Sequence, residues 1–445
     1  MDVSGERKMI SNSRMKVHII GGGPTGMSIA WELLNNTEHE VHIYDKKDTL
    51  GGSWHEPKGE KRDFHAPRML FNNAFVNTQN LFKEMNMDWN TYFVKRDSSE
   101  LYSFLFKHFK LQDYFALTSL AVRVLLFPEH YRKKSLEDSV DGLSFDGKLM
   151  LQSITYSIDG VGWDVMTAYE FVQSFNQVGL SSQWQQRISG RKMGLAMQKA
   201  LLDNGLKLHL NTGLTQLNYT HDGFEAVLSD DSVLTDDLLI LCLDNFPASS
   251  FVQNNWGPSA RDTLLSSAYT CLHVLFEYDE PIELKNELEL AIKSPWNILT
   301  SVLPDGKTVS CVMCNLTEEI ITTSPDKLYP ILLKQLDLPD PVSARITSDN
   351  KWENGRWIFT QSSGVINKKG QLPFFGENKK VAMCGMMSPR YTVYSSIEAG
   401  IEVGRTFCHQ NFKTRKAQRS LKVTQVIILI VLILILINEI RRRNL

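Results

Sequence analysis

The sequence is poor in cysteine and has no cluster of metal-ligating residues. Six cysteines, at 242, 271, 311, 314, 384 and 408, are spread over 445 residues, too sparse for a disulfide scaffold. Cys311-Val312-Met313-Cys314 alone has a suggestive spacing. Thr308 to Leu316 reads as a strand, however, on which residues three apart point to opposite faces, so both are expected in the core. No apolar stretch occurs in Met1 to Arg14, and residues 1–14 read as a polar, disordered leader rather than a secretory signal. A basic excess is missing from the body: the formal charge is −2, yet residues 411–445 hold eight Lys/Arg against Glu439. The acidic remainder argues against a nucleic-acid partner. No His, Cys or carboxylate stands out as an acid, a base or a metal ligand, and His108, Glu129 and His130 read as surface or packing residues.

What is present is a glycine-rich turn. Lys16-Val17-His18-Ile19-Ile20 runs into Gly21-Gly22-Gly23-Pro24-Thr25-Gly26, with glycines at positions one, three and six. Gly21 suits the tight turn, Gly23 the close approach of backbone to a pyrophosphate, and Gly26 the packing of helix on strand. Pro24 fits the first helical turn, and the helix N-terminus faces the anion. The apolar run Met27 to Leu34 ends at Asn35-Asn36, and a second strand, Glu40 to Tyr44, closes on Asp45. An acidic residue at that distance is placed to accept hydrogen bonds from a ribose. The other Gly-x-Gly, Gly160-Val161-Gly162, lacks a third glycine and a suitable strand before it, so a second nicotinamide site is not expected.

The glycine pair Gly51-Gly52, six residues past Asp45, resembles the extended FAD signature of glutathione-reductase-like flavoproteins. Within that group the chain looks like the flavin-containing amine oxidase superfamily, over three separated segments. The resemblance implies an α/β fold: a discontinuous Rossmann-like FAD-binding domain with an inserted α+β substrate domain. The first segment spans 15–97. In it Ser53 stands where amine oxidases usually have Arg, and Gly51-Gly52-Ser53-Trp54 looks more like the flavin monooxygenases. A helix is expected over Leu81 to Met87. The aromatic-rich residues 98–184 form a helical cap. The second segment, 185–249, opens at Gly190-Arg191-Lys192-Met193-Gly194 and passes to the strand Leu206 to Leu210, with Leu214 the implied backbone contact to adenine. Residues 250–375 form a mixed sheet on the substrate cavity, with Trp352, Trp357 and Phe359 either near the flavin or in the core. The third segment, 376–412, holds the strand Lys380 to Gly385 and the helix from Ser395-Ser396-Ile397. There the resemblance implies that the Ile397 amide faces the flavin pyrimidine oxygen, where the helix dipole would stabilise negative charge. Gly385 is followed by Met386 where an acid is common, and Ser396 replaces a cage aromatic that Tyr391 or Tyr394 could supply. Together these give a cofactor-binding set of Gly21, Gly23, Pro24, Thr25, Gly26, Asp45, Gly51, Gly52, Ser53, Trp54, Leu214, Gly385, Met386 and Ile397. The FAD is expected to be non-covalent, since no Gly-Gly-Cys-Tyr context occurs.

After a basic linker at 413–422, residues 423–440 include twelve consecutive aliphatic residues at 426–437. With no polar face, this stretch reads as a transmembrane helix, flanked by Lys422 and Arg441. It looks like the tail anchor of monoamine oxidases, which implies a single-pass membrane protein with a cytosolic catalytic body. The implied activity is hydride transfer from a small amine or lipid-like substrate to flavin, with dioxygen as acceptor. A prenylcysteine-oxidase-like or desaturase-like enzyme on a membrane lipid, and a tethered flavoprotein without turnover, are the alternatives.

Overall fold

Short β-branched and apolar runs bounded by glycine and asparagine build a parallel sheet. In the computed structural model, which describes residues 14–419 apart from 55–69, 73, 97–106, 179–181, 222, 236, 253–254, 285–295, 304, 348–349, 367, 369 and 394–395, five strands form this sheet. Their order is Val381–Met383, Leu238–Leu241, Lys16–Ile20, Glu40–Asp45 and Lys207–Leu210, and each neighbouring pair is parallel. Strands far apart in sequence thus lie side by side, and the strand ends next to Gly21, Asp45, Cys242 and Cys384 share one edge. Both sheet faces are covered, so the strands read as nearly unbroken apolar runs. The first helix, Pro24–Asn36, and the last described helix, Ile397–Phe412, pack on each other along their length. They can approach closely because Gly404 lies against Ser28, and Gly400 against Pro24 and Thr25.

A second, antiparallel sheet stands apart from the first. Its order is Ile298–Val302, Thr308–Met313, Leu272–Glu277 and Ser343–Ile346. One face buries Val274, Phe276, Cys311 and Met313 against the helix Pro325–Leu336. Trp352 and Trp357 close that core edge to face, with ring centroids 5.2 Å apart, and Phe359 packs there too. They are therefore core residues of this sheet. Helices Leu111–Leu126, Phe145–Asp159 and Ala168–Val178 lie between the two cofactor-side segments.

Three expectations need correction. The helix expected over Leu81 to Met87 is Val76–Glu84. Its polar first turn is held by Glu398, which accepts from the Asn77 and Thr78 amides at 3.0 and 2.9 Å. Tyr391 is no cage residue: its ring is half exposed and lies under the Arg419 guanidinium at 3.4 Å. Cys311 and Cys314 are both buried as expected, and the correction is that Cys314, on the opposite face, also lines a cavity. Most of the leader, the aromatic run at 101–106, Tyr394, Ser395 and the expected span at 423–440 lie outside the described residues. Among the described residues, no helix is long and apolar enough to cross a membrane.

Candidate functional site

The glycine-rich turn is built by contacts that leave no room for side chains at Gly21, Gly22 and Gly26. Gly21 has φ +105°, its amide bonds the Tyr44 carbonyl at 2.8 Å, and a Cβ on Gly26 would lie 2.1 Å from the Gly21 oxygen. Gly26 therefore fixes how closely the first helix sits on the first strand, and it does not line the cavity. Gly51 donates to the Gly22 carbonyl at 2.9 Å, which ties the second glycine pair onto the first turn. Gly51 also stays out of the cavity lining. Gly52, with φ +58°, brings its backbone against Gly23, so that a Cβ there would lie 2.7 Å from the Gly23 Cα.

Around this turn opens a cavity of about 660 Å³. Gly21, Gly23, Pro24, Thr25, Asp45, Gly52, Ser53, Trp54, Leu214, Gly385, Met386 and Ile397 all line it. Asp45 is buried and accepts from the Gly22 amide through Oδ2 at 2.6 Å and from the Lys47 amide through Oδ1 at 2.8 Å. The carboxylate has about four acceptor sites, so two bonds leave capacity for hydroxyls of a ligand. Lys46 and Lys47 also border the cavity, and Lys47 Nζ is held on the Gly52 carbonyl at 3.0 Å. The sequence signal for them was the Lys-Lys pair directly after the acid; it places cationic charge beside the glycine turn, as an anionic ligand requires. Tyr44 stacks on His209 with centroids 4.4 Å apart, and burial pushes its phenol up to about 12, so it borders the cavity as a neutral ring.

At the other end of the turn stands the N-terminus of Ile397–Phe412. Ser396 caps it: Oγ accepts from Ala399 at 3.2 Å, and the Ser396 carbonyl accepts from Gly400 at 3.1 Å. The position read as a missing cage aromatic thus serves as an N-cap. Ile397 and Gly400 of this helix border the cavity. Gly385 and Met386 border the same space, and the Gly385 amide is held by Ser388 Oγ at 3.0 Å. Beyond them the cavity runs on to Tyr156, Asp159, Tyr269, Cys271, His273, Leu299, Val312 and Cys314. Tyr269 Oη donates to Asp159 at 2.5 Å. None of these residues was nominated from sequence, because they come from five elements, one helix and four strands, that no local motif connects.

A phosphate-bearing dinucleotide fits this arrangement. The cavity follows the glycine turn, has an acceptor at the ribose distance, two lysines by the turn, and a helix N-terminus further on. Gly23 is the clearest fit: a Cβ there would meet no protein atom nearer than the Gly52 Cα at 3.6 Å, so the space beside it belongs to the cavity. Among the described residues no group of three or more His, Cys, Asp or Glu could hold a metal ion.

Residues 19–84 match the family described as NAD(P)-binding Rossmann-like domain. No curated protein matches the sequence. Among solved structures, wild-type putrescine oxidase bound to putrescine is similar, with a TM-score of 0.61 at 11% identity over 89% of this chain and 98% of that one. Cyclohexylamine oxidase from Brevibacterium oxydans gives 0.57 at 13% identity over 88% and 97%. The CLA-producing fatty acid isomerase from P. acnes gives 0.61 at 11% identity over 91% and 100%. At such identities the likeness is one of fold: this chain carries a dinucleotide-binding Rossmann-like domain within the α/β architecture it shares with these oxidases and this isomerase.

Proposed function

We propose that the chain is an FAD-dependent oxidoreductase of the amine-oxidase kind, and that it binds FAD without a covalent link. The observation that carries this reading is one continuous cavity. It begins at the glycine turn and Asp45, passes the N-terminus of Ile397–Phe412, and ends among mostly apolar side chains of the second sheet. A nicotinamide dinucleotide would be served by the turn and the acid alone; the Gly51-Gly52 pair and the helix N-terminus fit the larger flavin cofactor.

Bound FAD would accept a hydride from the substrate. The chain's part is to hold and orient. Gly23 and Gly52 leave the backbone open to the pyrophosphate, Asp45 takes the ribose, and Leu214 borders the adenine end. Ile397 and its helix dipole favour negative charge where the helix points. The apolar end excludes water and positions a small amine or lipid-like substrate, the chemistries of putrescine oxidase and the fatty acid isomerase. We place dioxygen as the acceptor. The catalytic body is cytosolic and held at a membrane by residues 423–440, as their aliphatic composition supports.

The test is the purified protein itself. It should carry a flavin spectrum, release FAD on denaturation, and lose its visible absorbance without oxygen when an oxidisable substrate is added. A screen over amines, polyamines and isoprenoid thioethers separates the amine from the lipid chemistry. A colourless protein that gains no flavin from added FAD would refute the proposal.

A further inference from the structure

Two thiols meet inside the cavity, at the end away from the glycine turn. Cys271 and Cys314 each follow the register of an antiparallel pair: Leu272 faces Met313 and His273 faces Val312. One step further along the same ladder, Cys271 stands opposite Cys314, and their Sγ atoms are 3.8 Å apart. Directly opposed residues on such strands have Cα atoms about 4.5–5.5 Å apart, within the roughly 4.4–6.8 Å that a disulfide spans. Both are buried from bulk water, yet both line the cavity, as do His273 and Ser363 beside them. The side chains at 271 and 273, two apart, share one face, whereas Cys311 points into the core behind. On the remaining side is Gly160, where a Cβ would come within 3.0 Å of the Cys271 sulfur.

The geometry points to a redox-active dithiol: Cys271 and Cys314 close to a disulfide, and open again, by exchange with a small-molecule disulfide or dithiol that enters the cavity. In the closing direction the Cys271 thiolate attacks one sulfur of the small disulfide and displaces one thiolate. Cys314, deprotonated in turn, attacks the Cys271 sulfur of the mixed disulfide and displaces the second. Two protein S–H bonds and one small-molecule S–S bond give one protein S–S bond and two small-molecule S–H bonds. The protein loses two electrons and two protons, and the small disulfide gains them. The reverse reaction consumes two small-molecule thiols, or one dithiol, as reductant.

The surroundings assign the order of attack. The hydrogen bond with Cys314 holds the Cys271 thiol well below the usual thiol range, with His273 and Ser363 acting in the same direction. That same bond, together with burial, pushes Cys314 up. A thiolate is the attacking species, so Cys271 attacks first and Cys314 resolves. Burial raises the other cavity thiols, Cys242 and Cys384, so neither is favoured as an attacking thiolate. The inference stands on the protein's own sulfurs and does not depend on the identity of the cofactor.

The test uses the full chain, reduced and freed of reductant, then incubated with hydroxyethyl disulfide, denatured, alkylated and mapped by mass spectrometry. The expected result is a peptide containing Cys271 linked to one containing Cys314, with two fewer alkylated thiols than in the reduced control. Cys314→Ser should stop at a mixed disulfide of Cys271 with the probe. Cys271→Ser should form adduct at Cys314 about tenfold more slowly or less. If the variants fail to fold, the map of the unmodified chain decides. Free thiols at both positions after incubation, or a mixed disulfide on the unmodified chain that never closes, would overturn the proposal.

Discussion

Replacing Asp45 separates two jobs that one carboxylate performs. In the protein alone, its oxygens accept from the Gly22 and Lys47 amides at 2.6 and 2.8 Å, in a position 7% exposed. Asp45→Ala leaves both amides without this acceptor. Each orphaned donor costs about 1–3 kcal/mol, so the cofactor-free protein should lose roughly 2–6 kcal/mol in urea unfolding. The same change removes the acceptor proposed for the ribose, a charge-assisted contact worth about 1.5–3 kcal/mol, or one to two decades in FAD affinity. Gly23→Ala provides the contrast. Its backbone, φ −76° and ψ −176°, accepts any residue, and the new Cβ meets only the Gly52 Cα at 3.6 Å. Stability should therefore change by no more than about 0.5 kcal/mol, while FAD affinity falls by about tenfold or more because the methyl occupies cofactor space. Affinity is read from quenching of flavin fluorescence on titrating protein that circular dichroism shows to be folded. Wild-type FAD affinity in both folded variants would refute the assignment of the turn, and unchanged unfolding of Asp45→Ala would refute the amide contacts.

Gly26→Ala puts a Cβ 2.1 Å from the Gly21 oxygen, and should cost about 1–3 kcal/mol in urea unfolding together with a fall in bound flavin. Burial raises the Glu398 carboxyl above its ordinary 4.5, so the native state keeps this proton longer than the unfolded chain. The resulting stabilisation is full below about 4.5 and is lost as pH rises through the folded value; the unfolding free energy of wild type minus that of Glu398→Gln should fall over that window, and a rise would contradict the burial argument. Acid precipitation should leave the yellow colour in the supernatant. Cys384, a thiol bordering the cavity, is pushed up by burial and is a poor nucleophile, and colour retained in the pellet would show a covalent link. A chain lacking residues 421–445 should be soluble without detergent and still load flavin, whereas aggregation without flavin would assign the tail to the core.

How much could be read beforehand depended on whether a contact was local. The strand, turn, helix and second strand from Lys16 to Asp45 follow from one motif, because glycines at fixed offsets and an acid at a strand end act within about thirty residues. The parallel sheet was legible for a similar reason: its central strands, Lys16–Ile20 and Leu238–Leu241, are nearly unbroken buried apolar runs. The start of the helix at Val76 was not, because its amides are satisfied by Glu398, 321 positions away. The cap at Ser396 was passed over because the resemblance drew attention to the aromatic that this position lacks, whereas its hydroxyl accepts from the Ala399 amide. The opposed thiols stayed hidden for a different reason. Cys271 and Cys314 are separated by 43 positions, and only the register of Leu272–Glu277 on Thr308–Met313 brings them together. The spacing that drew attention, Cys311 to Cys314, joins residues on opposite faces.

The buried charges around the last described helix show how the fold positions its site. Glu398 accepts four bonds from Asn77 and Thr78, between 2.7 and 3.0 Å. One turn later, Glu402 accepts from the Tyr391 and Thr392 amides at 2.6 and 2.9 Å. A third turn brings Arg405, which lies 3.2 Å from Glu32 on the first helix and 2.7 Å from Glu84. Burying such groups costs free energy that the pairing only partly returns, so stability alone does not explain them. Together they tie the helix to three elements: the helix Val76–Glu84, through both Glu398 and Arg405, the loop before the helix itself, and the helix after the glycine turn. With three directions fixed, the N-terminus can neither slide along the first helix nor tilt from the sheet edge. Ile397 and Gly23 then stay at a set separation on the two sides of one cavity. A ligand held at both ends needs that rigidity more than it needs any single contact, because a preorganised amide costs no reorganisation when charge develops beside it.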